Sequence, residues 1–203
     1  EITHENCGKI VVATDQAEIP SLNMLEERGR ANGLEGIRRL SPQEIREYEP
    51  HVNGIDGLWV PQTGIVNYTD VSRAYAQKIL AAGGEIRTNS RVIGFSNISE
   101  TIQLQTTSGE VETKNIINCA GLRSDKIAKL CGVNPGLQII PFRGEYYEVV
   151  PEKEYLVKNL IYPVPDVRFP FLGVHFTRMV HGGVEAGPNA VLALKREGYK
   201  KSD

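Results

Sequence analysis

The stretch Lys114–Gly132, KNIINCAGLRSDKIAKLCG, decides how the chain is read. Ile116, Ile117, Cys119 and Ala120 form a short apolar run broken by Asn118, which predicts a buried strand. Gly121 predicts a tight turn directly after it. Ser124 stands where an N-cap hydroxyl belongs, and Asp125 puts a carboxylate in the first helical turn, at the positive end of the dipole. Ile127, Leu130 and Cys131 recur at helical spacing until Gly132 stops the helix. A strand that ends in small residues lets a ligand approach its backbone, and in open α/β sheets ligands bind at that end. The same pattern also serves as a plain packing turn.

Upstream, Glu85–Thr88, Arg91–Ser96, Thr101–Thr107 and Glu110–Thr113 read as strands, the last two joined at Ser108-Gly109. Before them Thr69 is placed to cap an amphipathic helix with Val71, Ala74, Tyr75, Ile79 and Leu80 on its apolar side, ended by Gly83-Gly84. Nearer the start, KIVVAT (9–14) predicts a strand. A helix follows from Thr14 or Asp15 to about Asn32, with Leu22 and Leu25 inward. Ser41-Pro42-Gln43-Glu44 combines a cap, a first-turn proline and a capping-box glutamate, and its short helix stops before Pro50. Gly57–Val60 reads as a further strand.

The texture changes after Pro141. Phe142–Val150, Leu160–Pro163, Gly173–Met179 and Gly183–Ala186 read as β structure without a long helix. Aromatic residues concentrate there, as either core or a binding face. The charged end, Lys195–Asp203, is expected to fray. The fold class is therefore α/β (α+β): part of a nucleotide-binding type of mixed sheet, and an antiparallel β-rich domain. The divisions fall at 1–58, 59–140 and 141–203, with the first and third forming one discontinuous domain.

Bulk properties narrow the function. The chain has 203 residues, is 40% hydrophobic and carries a formal net charge of −2, so no basic field suits nucleic acid. No apolar run approaches the roughly 18 residues that a spanning helix needs. Cys7, Cys119 and Cys131 are isolated and odd in number, without a CxxC pair, so no metal site or disulfide framework is expected. The opening EITHENCGKI has no initiator Met and reads as the start of a piece of a longer protein. Neither GxxxxGK[ST], HExxH, GxSxG nor a strand–GxGxxG–helix fingerprint occurs.

Four segments nevertheless occur in a telling order: GIVNYTDVSRAYAQKILAAGGEI, RVIGF, NCAGLRSDKIAKL and PFRGEYYEVV. With LIYPVPD, PFLGVHFTRM and GPNAVLALKREGY, the chain resembles the FAD-dependent oxidoreductases of the D-amino-acid oxidase type. Its nearer likeness is to those acting on an L-2-hydroxy dicarboxylate. The resemblance implies a FAD/NAD(P)-binding-type sheet and an antiparallel substrate domain, in a middle piece of the full enzyme. It implies FAD as cofactor, bound weakly or not at all by this piece alone, because the pyrophosphate-cradling fingerprint is lacking. A small 2-hydroxy acid would be the substrate, with the electron acceptor open. The location would be cytoplasmic, the full-length enzyme being able to associate peripherally with a membrane. Rival readings are an oxidoreductase acting on an amine or glycerol 3-phosphate, and a non-catalytic module binding a partner.

Residue by residue, the resemblance places Val92 by the adenine, and Cys119, Ala120 and Gly121 by the FAD pyrophosphate, where small side chains allow approach. Arg143, beside Gly144, is a solvated strand residue or a bidentate carboxylate anchor. His175 is a structural strand histidine or the base that takes the hydroxyl proton. Arg178 is a second carboxylate clamp, although a separation of three puts it on the opposite strand face from His175. Tyr146 and Tyr162 are core residues or hydrogen-bond donors to a carboxylate.

Overall fold

The computed structural model describes residues 1–98, 100–166 and 168–203, Ile98 by its backbone alone. In chain order the elements begin with β1 (His4–Glu5), β2 (Lys9–Ala13), α1 (Ile19–Ala31), β3 (Arg38–Leu40), α2 (Pro42–Tyr48), β4 (Asp56–Val60) and β5 (Ile65–Val66). Then come α3 (Tyr68–Ala81), β6 (Val92–Ile98), β7 (Thr101–Thr106), β8 (Gly109–Thr113), α4 (Ser124–Leu130) and β9 (Phe142–Arg143). The last are β10 (Tyr147–Glu148), β11 (Leu160–Pro163), β12 (His175–Arg178), β13 (Val184–Gly187) and β14 (Val191–Leu192). The chain divides into two compact units, Glu1–Tyr75 with Gly144–Val191, and Ala76–Arg143 with Leu192–Asp203. The α/β class read from the sequence holds.

The first unit is built on a seven-stranded sheet, ordered β10-β13-β12-β11-β2-β4-β3. Only β2 and β11 run parallel, with Leu160 opposite Lys9 and Tyr162 opposite Val11. KIVVA is apolar at successive positions because both of its faces are covered. Val11 and Ala13 join Leu22 of α1, Leu58, Val60 and Val164 on one side. Ile10 and Val12 join Leu40 and Ile45 of α2 on the other. Reciprocal capping boxes, worth about 1 kcal/mol each, start the 3-10 turn Gln16–Glu18 that leads into α1, Asp15 with Glu18, and start α2, Ser41 with Glu44. Gly8 is required twice over: its φ is +78°, and a Cβ there would lie 2.0 Å from the Trp59 ring. Glu49, fully buried after α2, accepts hydrogen bonds from the backbone N–H groups of Lys158 and Asn159 and from the Asn159 amide. That carboxylate ties the early part of the chain to the segment leading into β11.

The second unit contains the antiparallel meander β6-β7-β8, with an irregularity between Val92 and Gly94 and a two-residue turn between Thr106 and Gly109. Two expected strands are absent. Glu85–Thr88 has no ladder, and Glu85 and Arg87 pair with each other at 2.6 Å in solvent. Asn115–Ala120 also lacks strand pairing, and Ile117 is 88% exposed. An apolar run becomes a strand only when neighbours complete its hydrogen bonds, and no described strand lies alongside this one. Local bonds shape it instead: the Asn118 side chain accepts from Ala120 N–H at 3.2 Å and donates to the Ser124 carbonyl at 2.9 Å. Ser124 does not cap α4. A 3-10 turn at Gly121–Arg123 precedes the helix, and the Ser124 hydroxyl donates back to the Gly121 carbonyl at 2.7 Å. Likewise Asn67, not Thr69, caps α3, accepting from Thr69 N–H at 3.0 Å.

The charged end is fastened rather than frayed. Arg196 grips Asp125 in a bidentate pair at 2.6 and 3.1 Å, and Asp125 is only 3% exposed. Glu197 pairs with Arg123 at 2.6 Å and Asp203 with Lys195 at 3.3 Å.

Candidate functional site

One face of the first unit's sheet carries Lys9, Tyr162 and His175. The β12–β13 ladder runs unbroken from His175 opposite Gly187 to Arg178 opposite Val184, and β11 pairs with β12 at Ile161 and Phe176. Strand alternation therefore places Tyr162, His175 and Thr177 on one face and turns Arg178 to the other. The structure does not bring Arg178 to His175.

His175 is 5% exposed and stacks on Tyr162, with ring centroids 4.1 Å apart and planes 15° from parallel. Its Nδ1 lies 2.9 Å from the Gly173 carbonyl oxygen. A carbonyl only accepts, so Nδ1 bears the hydrogen, and the neutral ring keeps its lone pair on Nε2. No hydrogen-bond partner of Nε2 is found among the described residues. Burial pushes the Tyr162 phenol above its ordinary value, partly offset by its hydrogen bond with Thr177. On the other flank of Tyr162, the Lys9 ammonium lies 5.0 Å from the ring centroid. Burial pulls Lys9 below the ordinary lysine value.

Tyr162 and Thr177 reach a cavity of about 860 Å³, lined also by Tyr68, Glu148, Arg178 and Glu185. Arg178 Nη2 donates to Glu5, while its buried Nε has no hydrogen-bond partner among the described residues. His181, at the turn after β12, bonds the Asn67 amide at 3.1 Å.

The second unit has a cavity of about 400 Å³. Val92, Cys119 and Ala120 line it together with Phe95, Leu104 and Ile117, and Arg91, Arg123 and Lys126 also border it. Gly121 follows directly in the chain. Its φ is +50°, and a Cβ built on it meets nothing within 4 Å, so the space over this backbone is open. Apolar walls, nearby cations and an uncovered glycine suit a ligand with a flat ring and anionic groups. Arg143 is elsewhere in this unit. Its Nη1 donates to the carbonyls of Gly198 at 3.3 Å and Lys200 at 2.8 Å.

Sequence reasoning missed Lys9, because a lysine opening an apolar strand looks like an ordinary solvated end. Its place beside Tyr162 depends on the parallel β2–β11 pairing, which joins residues some 150 apart in the chain and leaves no local signal.

The fold is α/β, with a cavity in each of the two units. A sequence model of the FAD dependent oxidoreductase family, DAO, matches residues 1–202, and the chain belongs to that family. It is 53% identical to an L-2-hydroxyglutarate dehydrogenase of Indibacter alkaliphilus, covering 99% of this chain and 51% of that protein. It is 47% identical to the Escherichia coli K12 enzyme of that name, covering all of this chain and 48% of that one. The human mitochondrial one is 45% identical, with 100% and 46% covered. Among solved structures, an L-α-glycerophosphate oxidase from Mycoplasma pneumoniae with FAD bound superposes with a TM-score of 0.84 at 25% identity, over all of this chain and 54% of that one. The chain spans about half the length of the curated relatives it matches. No helix among the described residues is long and apolar enough to cross a membrane.

Proposed function

We propose that the full-length protein carrying this chain oxidises L-2-hydroxyglutarate to 2-oxoglutarate. The observation that carries this reading is similarity along the whole chain, at 45–53% identity, to proteins bearing that dehydrogenase's name in bacteria and mitochondria. FAD, when bound, supplies the acceptor for the hydride that leaves the substrate's α-carbon. Val92, Cys119, Ala120 and Gly121 would hold it, along the apolar walls and open backbone of the second unit's cavity. Nε2 of His175 takes the hydroxyl proton as the carbon–oxygen bond becomes a carbonyl. The Gly173 carbonyl keeps that ring in the tautomer the step needs. Arg178, which lines the first unit's cavity with Tyr162 and Thr177, is a carboxylate contact and shares its guanidinium with Glu5. The first unit is the substrate domain and the second part of the FAD-binding domain. Three free cysteines fit a reducing, cytoplasmic location.

The test is dye reduction by the purified full-length flavoprotein, offered L-2-hydroxyglutarate, its D-enantiomer, glycerol 3-phosphate and glycine. Turnover confined to L-2-hydroxyglutarate is expected. Preference for glycerol 3-phosphate, the substrate class named for the glycerophosphate oxidase neighbour, would overturn the substrate and keep the chemistry. His175→Ala is expected to lower kcat by about 100-fold or more, with a smaller change in KM.

A further inference from the structure

Three adjacent strands bring Lys9, Tyr162 and His175 together on one face, with His175 across from Tyr162 and Lys9 reaching the ring diagonally from its place opposite Leu160. In the sheet β11 lies between β2 and β12, so the Tyr162 ring is flanked by Lys9 from one neighbour and His175 from the other. Lys9 is half-buried, and no ion pair or hydrogen bond of its ammonium is found among the described residues. A half-buried cation without an anion is costly, and the face of a phenol ring compensates only in part. Arg178, turned to the other face of β12, is already engaged by Glu5. The group thus offers a proton acceptor at one end and an uncommitted ammonium at the other, with an aromatic ring between them.

We propose that Lys9 anchors the distal carboxylate of a dicarboxylic substrate and so selects a 2-hydroxy diacid over a 2-hydroxy monoacid. The inference rests on the reading given under Proposed function. A 2-hydroxy diacid carries its reacting hydroxyl at one end and a second carboxylate at the other. Laid along Tyr162, it meets Nε2 of His175 with the first and the Lys9 ammonium with the second. A monoacid of the same length leaves Lys9 unpaired and gains nothing there, so the discrimination comes from a charge-assisted contact only the diacid can make.

The test uses the full-length holoenzyme and two product-type ligands, 2-oxoglutarate and 2-oxobutyrate, titrated by calorimetry. Lys9→Met keeps the apolar stem against Tyr162 and removes the charge. It should weaken 2-oxoglutarate at least about tenfold and leave 2-oxobutyrate within about twofold, while Lys9→Arg restores most of the difference. The KM for L-2-hydroxyglutarate should rise in parallel, with kcat little changed. Lys9→Gln serves the same comparison should Lys9→Met not fold. Equal weakening of both ligands, or an undiminished preference for the diacid, would overturn the role of Lys9 and leave the proposed activity standing. An unsubstituted holoenzyme that fails to bind 2-oxoglutarate would overturn the substrate reading itself, and this inference with it.

Discussion

Ile10, Leu22 and Leu40 are fully buried in the first unit, on the two faces of one sheet, while Ile117, Leu137 and Ile140 of the second unit stand open to solvent. Among the described residues, Ala193 is the second unit's one buried apolar side chain. The difference is one of layers. The first unit sandwiches its sheet between α1 and α2, so both faces of β2 find cover. A three-stranded meander with one short helix has no second layer to close against. Polar bonds carry more of the second unit, with the Asp125–Arg196 pair at their centre. Truncation should therefore separate the units most sharply. In the chain as given, Leu40→Ala should cost about 3 kcal/mol of unfolding free energy, and Ile117→Ala less than about 0.5 kcal/mol, by urea melts. In the full-length protein Ile117→Ala should become costly, because we expect the remaining half to lie over it. An equally small effect there would break the comparison.

The polar unit should also be the acid-sensitive one. Burial alone would raise the Asp125 pKa, but Arg196 and the N–H groups of Ile139 and Lys126 outweigh it, and the carboxyl is held below its ordinary 3.8. A carboxyl whose folded pKa is depressed lends stability that is complete above the unfolded value. That stability is lost as pH falls through the folded one. Wild type and Asp125→Asn should differ clearly near pH 7 and converge as the pH is taken down to about 2, read by hydrogen exchange of α4 amides. A constant difference across that range would show that Asp125 acts through shape rather than charge.

Legibility from sequence followed how local each signal was. The capping box at Ser41, a cap at Thr14 or Asp15, the meander and the glycine-ended helices rest on residues within a few positions of one another, and these were readable. Ile116–Ala120 misled, because an apolar run reports a strand's need for neighbours without showing whether they are there. The candidate flavin residues Val92, Cys119 and Ala120 were reached through family resemblance and do line one cavity. Lys9 and Glu49 stayed hidden because their partners come from distant segments: Tyr162 for one, Lys158 and Asn159 for the other. The fastened tail was hidden for the same reason, since Arg196 finds Asp125 across 71 positions.

The smallest effect separates two serines that read alike. Ser41 and Ser124 each stand at the start of a short helix, and in sequence each looks like an N-cap. Ser41 has extended backbone, accepts from Glu44 N–H, and receives the Glu44 carboxylate on its own N–H at 2.8 Å. Ser124 has helical backbone and spends its hydroxyl as a donor to Gly121, in a turn that has already begun. The first bond satisfies an N–H that the helix leaves without a partner. The second goes to a carbonyl already bonded within its turn, which loses little. Ser41→Ala should therefore destabilise the first unit by about 1 kcal/mol, and Ser124→Ala should change the second by only about 0.3 kcal/mol. Paired urea melts resolve that difference when unfolding is followed separately by Trp59 fluorescence, in the first unit, and by exchange of α4 amides, in the second. Equal losses would mean that α4 is started by Ser124 after all, and that the 3-10 turn before it is not part of the helix's start.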